Sequence, residues 1–193
     1  MSEDVCAKCS PEDFRRILVW GTSGCGKSTL GRQLGTILSV PFFELDDLWH
    51  LPGWQTRPVA EFQEKVAELA SQESWIVAGN YRNAREILLP RADMVIQLDY
   101  SKPLVMKRVI WRTLWRILKH EVCCNGNYEG CRKSFSKDSI ILWAWTTFDK
   151  RKAEYAELFK RQDLVALRKL RFRSPRETQA WLMSLQPRTG DAA

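Results

Sequence analysis

The 193-residue sequence has no apolar stretch long enough to cross a membrane. A transmembrane helix needs roughly 18 or more consecutive apolar residues, and charged or turn-forming residues break every apolar run here before that length. The opening segment, MSEDVCAKCSPEDF, is acidic, whereas a secretory signal starts with basic residues followed by an apolar run. We therefore expect a cytoplasmic protein without a membrane span.

Metal-binding residues are scarce and poorly spaced. The two histidines stand in no cluster of carboxylates, and the six cysteines include one Cys-x-x-Cys pair, Cys6 and Cys9. Cys123, Cys124 and Cys131 lack the paired spacing of a zinc site. Because cytoplasmic thiols stay reduced, we expect free thiols and neither disulfides nor structural zinc.

Internal repeats and low-complexity segments are also absent, and the length of 193 residues predicts a single compact domain. We expect this domain to span residues 14–186, between an N-terminal tail (1–13) and a C-terminal tail (187–193). Acidic residues are scarce in the second half: residues 1–100 hold 10 Lys and Arg against 14 Asp and Glu, but residues 101–193 hold 20 against 9. Such a basic excess attracts phosphates, so nucleotides, nucleic acid and anionic lipid surfaces are all compatible partners.

Short apolar runs alternate with helical patterns along the chain. Five runs rich in β-forming residues predict buried strands, at 14–20, 40–46, 74–80, 93–99 and 163–170. Apolar spacing predicts helices at 57–72, 102–119, 138–161 and 174–185. Strands that alternate with helices form parallel βαβ units, so the sequence predicts an α/β fold with a five-stranded parallel sheet covered on both faces.

More than sixty residues separate the fourth and fifth predicted strands. This insertion is longer than an ordinary crossover between two strands. We expect it to contain a mobile lid at about residues 120–137.

The segment GTSGCGKS at residues 21–28 matches the phosphate-binding pattern G-x-x-x-x-G-K-[ST] at every position. A predicted strand precedes it and a helix follows, as the motif requires. Its glycines allow successive backbone N–H groups to turn toward one anion, and the helix N-terminus adds positive potential. Lys27 can reach the β- and γ-phosphates, and the Ser28 hydroxyl can bind Mg²⁺. The predicted nucleotide contacts are Gly21, Thr22, Ser23, Gly24, Cys25, Gly26, Lys27, Ser28 and Thr29.

Two carboxylates, Asp46 and Asp47, follow the second predicted strand. In an open α/β sheet, ligands bind beyond the carboxyl ends of the strands, so both are expected at the cleft; capping of the following helix or turn is the alternative for either. Trp49, His50 and Trp54 come next. They are candidates for an aromatic wall against a planar acceptor, although tryptophan is more often part of a core.

Three segments, GTSGCGKSTLGRQLG, PFFELDDLWHLPGW and WIVAGNYRN, together resemble the adenylate-kinase-like P-loop kinases. The branch of DNA topology modulation proteins is the most similar, and shikimate and gluconate kinases are similar as well. The resemblance implies a three-layer αβα P-loop NTPase fold like that of the nucleoside monophosphate kinases, with a helical lid. It also implies ATP as donor, Mg²⁺ as cofactor, and a nucleotide or small hydroxylated metabolite as acceptor.

The resemblance further implies roles for individual residues. In the similar shikimate and gluconate kinases, an Asp at this point contacts the acceptor hydroxyl or a water of the magnesium shell, so Asp46 is expected to act as base or metal partner. An Arg after the third strand resembles the acceptor-phosphate clamp of nucleotide kinases, which favours Arg82 for that role. Arg85 is expected to face solvent. The predicted acceptor contacts are Asp46, Asp47, Trp54, Asn80 and Arg82, and the predicted metal contacts are Ser28 and Asp46.

One position departs from the family pattern. Nucleoside monophosphate kinases and many members of the branch carry Asp-Gly at the end of the third strand, where the carboxylate supports Mg²⁺. This chain has Ala78-Gly79 there. Either Asp46 takes over the magnesium role, or the protein binds nucleotide with little turnover.

The helix predicted at 102–119 carries a basic stripe along one side, because Arg108, Arg112 and Arg116 are four residues apart. No acidic residue occurs within this helix. The resemblance implies that Arg112 or Arg116 stacks on adenine and that a lid arginine, Arg132, acts in catalysis beside Lys27 by stabilising the transferring phosphate. A basic, tryptophan-containing helix that binds nucleic acid or a membrane surface is the competing interpretation. The sequence predicts neither the identity of the acceptor nor an oligomeric state.

Overall fold

The computed structural model describes residues 14–119, 122–128, 139–161 and 167–185. Predictions that fall outside these ranges concern both tails, the Cys6 and Cys9 pair, Arg132, and the parts of the 120–137 segment beyond 122–128. Within the described ranges, no helix is long and apolar enough to cross a membrane.

A parallel sheet of five strands forms the centre of the molecule. Its strands are β1 (Arg16–Gly21), β2 (Phe42–Glu44), β3 (Trp75–Ala78), β4 (Met94–Leu98) and β7 (Arg168–Phe172). Their order is β2-β3-β1-β4-β7, and every neighbouring pair is parallel. Each of the five predicted strands overlaps one of these, so the predicted sheet is confirmed. A separate antiparallel hairpin consists of β5 (Val122–Cys123) and β6 (Asn127–Tyr128).

Seven helices connect or follow these strands in the described parts of the chain. They are α1 (Lys27–Leu38), α2 (Leu45–Trp49), α3 (Val59–Ser71), α4 (Arg82–Leu88), α5 (Lys102–Lys119), α6 (Ile140–Lys160) and α7 (Pro175–Leu185). The four helices predicted from apolar spacing correspond to α3, α5, α6 and α7. Sequence analysis did not predict α2 and α4, because helices of 5 and 7 residues are too short to show a periodic pattern.

Strand side chains alternate between two apolar layers. On one face, Ile17 of β1 packs in a cluster with Leu34 of α1 and with residues of α5 and α7. On the other face, Leu18 packs in a cluster with Phe62 of α3 and with residues of α4. α6 contributes to both clusters. Because both faces of the sheet are covered, its three central strands, β1, β3 and β4, consist of nearly continuous apolar runs.

This topology brings the ends of three strands together. β1 lies between β3 and β4, and the chain crosses from β1 to the far side of β3 before returning. A crevice forms at the carboxyl edge of a parallel sheet where the strand order reverses in this way. The loop after β1, the short helix after β2 and the turn after β3 all open onto that edge.

Candidate functional site

A cleft of about 1400 Å³ lies at the carboxyl edge of the sheet. The loop after β1, helices α2, α5, α6 and α7, and the hairpin all contribute to its walls. Among the predicted site residues, those that line the cleft are Gly21, Thr22, Ser23, Gly24, Cys25, Gly26, Lys27, Ser28, Thr29, Asp46, Asp47, Trp54, Asn80, Arg112 and Arg116. Arg82 is exposed at the start of α4 and does not line it, and Arg132 lies outside the described residues.

The loop between β1 and α1 has the backbone of a phosphate cradle. Gly24 and Gly26 have φ angles of 80° and 103°, in the left-handed region that favours glycine. A Cβ on Gly24 would also lie 2.3 Å from Cγ2 of Val109, so the close approach of α5 requires glycine there. The Lys27 ammonium donates a hydrogen bond to the Thr22 carbonyl at 3.0 Å, which holds the side chain over the loop.

Two helices brace this loop from the second half of the chain. The Tyr155 hydroxyl of α6 donates to the Gly21 carbonyl at 3.1 Å, and its ring stacks on Trp20 with 6.2 Å between centroids. Arg108 of α5 donates to the Cys25 carbonyl at 3.1 Å. Burial raises the pKa of Tyr155, which keeps the phenol protonated as a donor. The bracing role of Tyr155 was not predictable from the sequence, because only tertiary packing brings this residue to Gly21.

A carboxylate that the sequence analysis did not assign to the site lies beside Ser28. Glu44, the last residue of β2, accepts a hydrogen bond from the Ser28 hydroxyl and forms a 3.2 Å ion pair with Arg32. In the sheet, Glu44 is in register with Ala78 of β3. The carboxylate that is missing from the end of β3 is therefore present at the end of the adjacent strand. The only sequence signal for it was its place two residues before Asp46.

Asp46 and Asp47 both lie in the first turn of α2. Asp46 accepts a 2.6 Å hydrogen bond from the Tyr81 hydroxyl. Burial, and then the charge and hydrogen bond of Asp46, raise the pKa of Tyr81, so this phenol stays protonated and donates. Burial and the charge of Asp46 raise the pKa of Asp47. Carboxylates also stabilise the N-terminus of a helix. Asp46 and Asp47 can therefore stabilise the start of α2 and line the cleft at the same time.

Three aromatic side chains that follow Asp47 in the sequence all line the cleft: Trp49, His50 and Trp54. Trp49 also belongs to the core, because its ring lies 5.0 Å from that of Phe62 and 5.5 Å from that of Tyr81. The edge of His50 meets Trp54, with 5.5 Å between ring centroids. These rings form an aromatic wall next to the two aspartates.

The prediction that Arg85 faces solvent is wrong. The Arg85 side chain is 8% exposed, pairs with Glu154 of α6 at 2.7 Å, and donates to the Asn80 side chain at 3.1 Å. Arg151, one turn earlier on α6, lines the cleft and lies 3.6 Å from Glu154. Burial alone would raise the pKa of Glu154, but the hydrogen bond and charge of Arg85 and the charge of Arg151 lower it overall. Arg151 of α6 therefore brings a positive charge to the cleft. No motif or spacing around this residue in the sequence indicated that position.

The basic stripe of α5 faces the cleft, which Arg108, Arg112 and Arg116 all line. The same helix carries exposed apolar side chains that do not line the cleft: Ile110, Trp111, Leu114, Trp115 and Leu118. Together with Lys27, these arginines make the cleft basic beside the loop, whereas the end beside α2 is acidic.

The described residues contain no group of three or more His, Cys, Asp or Glu side chains that could hold a metal ion. Mg²⁺ does not require such a group, because it is commonly bound by one or two protein oxygens together with substrate phosphates and water. The adjoining Ser28 hydroxyl and Glu44 carboxylate are hard oxygen ligands at the mouth of the phosphate cradle. The residues present therefore fit Mg²⁺ bound together with a nucleotide.

Three solved kinase structures are similar in fold to this chain. A shikimate kinase from Acinetobacter baumannii in complex with shikimate superposes with a TM-score of 0.55 at 16% sequence identity, covering 90% of this chain and 92% of that chain. A shikimate kinase from Bacteroides thetaiotaomicron gives 0.53 at 14% identity, covering 89% and 96%. A gluconokinase from Sinorhizobium meliloti 1021 gives 0.50 at 21% identity, covering 90% and 94%. No protein-family model matches the sequence, and no curated protein matches it.

At these identities the comparison establishes the fold. The chain has the α/β P-loop NTPase fold found in shikimate kinases and gluconokinase, as the sequence predicted.

Proposed function

We propose that this protein is a Mg²⁺- and ATP-dependent kinase that phosphorylates a hydroxyl group of a small metabolite. The observation that carries the proposal is the division of one cleft into two ends. A complete phosphate cradle, with Ser28 bonded to Glu44, occupies one end, and Asp46 with the aromatic wall occupies the other. A protein that only bound nucleotide would have no need of the second end. The names of the similar structures, shikimate kinase and gluconokinase, also denote small hydroxylated acceptors, although those two acceptors are carboxylates and we expect this chain to differ in the charge that it accepts.

At the donor end, residues 21–29 would bind the nucleotide phosphates, and Ser28 with Glu44 would hold Mg²⁺. Bound Mg²⁺ supplies neutralisation of phosphate charge as the transfer proceeds. Arg112 and Arg116 lie on the same wall and would contact the nucleotide base. Lys27 would stabilise charge on the transferring group, and Arg132 is proposed to assist it from the lid segment.

At the acceptor end, Asp46 would act as the base, with Asp47, Trp54 and Asn80 as further acceptor contacts. The acceptor oxygen attacks the γ-phosphorus, the bond from that phosphorus to the β,γ-bridging oxygen breaks, ADP leaves, and the hydroxyl proton passes to the Asp46 carboxylate. Tyr81 holds this carboxylate at 2.6 Å through its hydroxyl. Arg82 does not line the cleft. We therefore propose it as a contact only for an acceptor that extends beyond the cleft.

The acceptor end is acidic, and this limits the acceptor. Asp46 and Asp47 lie there, while two of the cations that line the cleft, Arg32 and Arg151, are paired with Glu44 and Glu154. A phosphate-bearing or carboxylate-bearing acceptor would be repelled by the two aspartates. We therefore expect uncharged or cationic hydroxylated acceptors to be preferred over their anionic counterparts.

A screen of ADP release tests both the activity and this preference. The purified protein with Mg²⁺ and ATP is given matched pairs that differ in charge: a nucleoside and its 5′-monophosphate, a sugar and its sugar acid, and a sugar and its amino sugar. We expect acceptor-dependent ADP release, with the uncharged member of a pair at least about tenfold better in kcat/KM than its anionic counterpart. ATP binding without ADP release for any compound would instead support a nucleotide-binding protein with little turnover.

Replacing Glu44 by glutamine should raise the Mg²⁺ concentration needed for half-maximal activity by about tenfold, since outer ligands and partners of a metal typically account for 10–100-fold in affinity or activity. Binding of ATP without Mg²⁺ should change little. A Mg²⁺ titration of the ADP-release rate measures this. Arg32→Ala is the matched control, because it removes the other partner of Glu44 and leaves the carboxylate in place. An unchanged Mg²⁺ requirement in Glu44→Gln would remove Glu44 from the metal site and leave Ser28 and Asp46 as the proposed metal contacts.

Membership of the DNA topology modulation branch stays a prediction, as does association with nucleic acid. The stripe of arginines on α5, which suggested nucleic acid as a partner, lines the cleft. Affinity for a DNA duplex that falls steeply with salt would favour nucleic acid as a partner.

A further inference from the structure

We infer that Asn127 fastens the hairpin β5–β6 to the acceptor side of the cleft and is a positioning residue for acceptor binding. This inference rests on the proposed kinase activity. It concerns the hairpin at residues 122–128 and the turn at residues 51–54, which follows α2.

Asn127 is 3% exposed and makes three hydrogen bonds. Its side-chain oxygen accepts from the Trp54 backbone N–H at 2.8 Å. Its side-chain nitrogen donates to the Leu51 carbonyl at 3.0 Å and to the Cys124 carbonyl at 2.6 Å. The amide thus joins the turn to the hairpin and at the same time closes the hairpin itself. A buried amide whose partners are all satisfied specifies one arrangement of the chain, because any other arrangement leaves polar groups unpaired.

Two further bonds connect the same two segments. The Trp54 indole N–H donates to the Tyr128 carbonyl at 3.1 Å, and the Asn125 side chain donates to the His50 carbonyl at 3.1 Å. The turn and the second strand of the hairpin, through Asn125, Asn127 and Tyr128, are therefore hydrogen-bonded to residues 50–54. These residues carry the aromatic wall of the acceptor end.

The hairpin also forms part of the cleft, which Val122, Cys124 and Asn125 line. Since Asn127 fixes it against the turn, the hairpin and the aromatic wall form one unit on the acceptor side. The phosphate cradle is braced separately, by Tyr155 and Arg108. Loss of the Asn127 side chain should therefore loosen the acceptor end and leave nucleotide binding in place.

Hydrogen exchange of the full-length protein tests the fastening directly. In Asn127→Ala, peptides covering residues 50–56 and 122–128 should exchange about tenfold faster or more, because three hydrogen bonds of a buried amide are lost. Peptides covering β1, β3 and β4 should keep their protection. Asn127→Asp retains an acceptor for the Trp54 N–H but loses both donated hydrogen bonds. Hydrogen exchange in the same two segments should therefore also become faster in this variant. Unaltered exchange in both segments in both variants would overturn the inference.

Asn125→Gly is the matched control. It removes a side chain that makes one exposed bond, and glycine tolerates the φ of 60° found at this position. We expect exchange of residues 122–128 in this variant to stay close to that of the unaltered protein. Acceleration equal to that in Asn127→Ala would show that any change in the hairpin releases it, and would remove the special role of Asn127.

Kinetics separate positioning from a merely structural role. With the best acceptor from the ADP-release screen, Asn127→Ala should raise the acceptor KM about tenfold while the KM for ATP changes less than about twofold. Equal increases in both would contradict positioning on the acceptor side. If no compound supports ADP release, the kinase proposal fails, and hydrogen exchange still decides whether Asn127 fastens the hairpin.

Discussion

Replacing Lys27 by alanine should lower phosphoryl transfer by at least about 100-fold, the usual effect of removing one group that stabilises transition-state charge. The ammonium is held over the loop by the Thr22 carbonyl, where it would meet the β- and γ-phosphates. ATP affinity should also weaken. The loop itself should persist, because its bracing by Tyr155 and Arg108 does not involve the lysine. Calorimetric titration with ATP and the ADP-release rate measure the two effects.

Lys107→Ala provides the control for charge. This lysine is exposed on α5 and does not line the cleft, so its loss removes one positive charge without touching the cradle. Its turnover should match that of the unaltered protein, and the melting temperature of both variants should stay within about 2 °C of it. Normal ATP affinity and turnover in Lys27→Ala would show that the glycine-rich loop does not bind the donor.

Asp46→Asn should reduce turnover by about 10²–10⁴-fold while retaining most ATP binding, because the amide cannot accept the acceptor proton. The side-chain oxygen of asparagine can still accept the hydrogen bond from Tyr81, so the local structure should be kept. Steady-state ADP release with the best acceptor, together with ATP titration, measures the split.

Asp47→Asn is the neighbouring control on the same turn of α2. It removes an exposed carboxylate that has no hydrogen bond from Tyr81, and its effect on turnover should be much smaller than that of Asp46→Asn. The loss of turnover in Tyr81→Phe should be intermediate between those in Asp47→Asn and Asp46→Asn, since the Asp46 carboxylate stays but loses the hydrogen-bond donor that orients it. Full activity in Asp46→Asn would remove this residue from the mechanism.

Local features of the chain were predictable. The phosphate cradle is eight consecutive residues, so its chemistry is contained in the sequence itself, and the strand and helix on either side followed from the apolar pattern. The five strands were predictable for the same reason, because a strand buried on both faces is an apolar run bounded by turns.

Features that depend on contacts between distant segments were not predictable. Arg85 was expected to face solvent, but α6 brings Glu154 to it across 69 positions of sequence. Tyr155 reaches Gly21 across 134 positions. Asn127 meets Trp54 across 73 positions, and nothing in either segment marks the other as its partner. Each of these polar contacts exists because the helices and the hairpin pack on the same edge of the sheet.

The register between β2 and β3 has a consequence for how related chains are compared. A search that expects Asp-Gly after the third strand would class this protein as degenerate, since it finds Ala78 there. Pairing in the sheet sets Glu44 beside that position, so an acidic side chain at either site lies at the edge that the two strands share. Homologues should then show a correlated exchange, in which an acidic residue at one of these two sites accompanies a small side chain at the other.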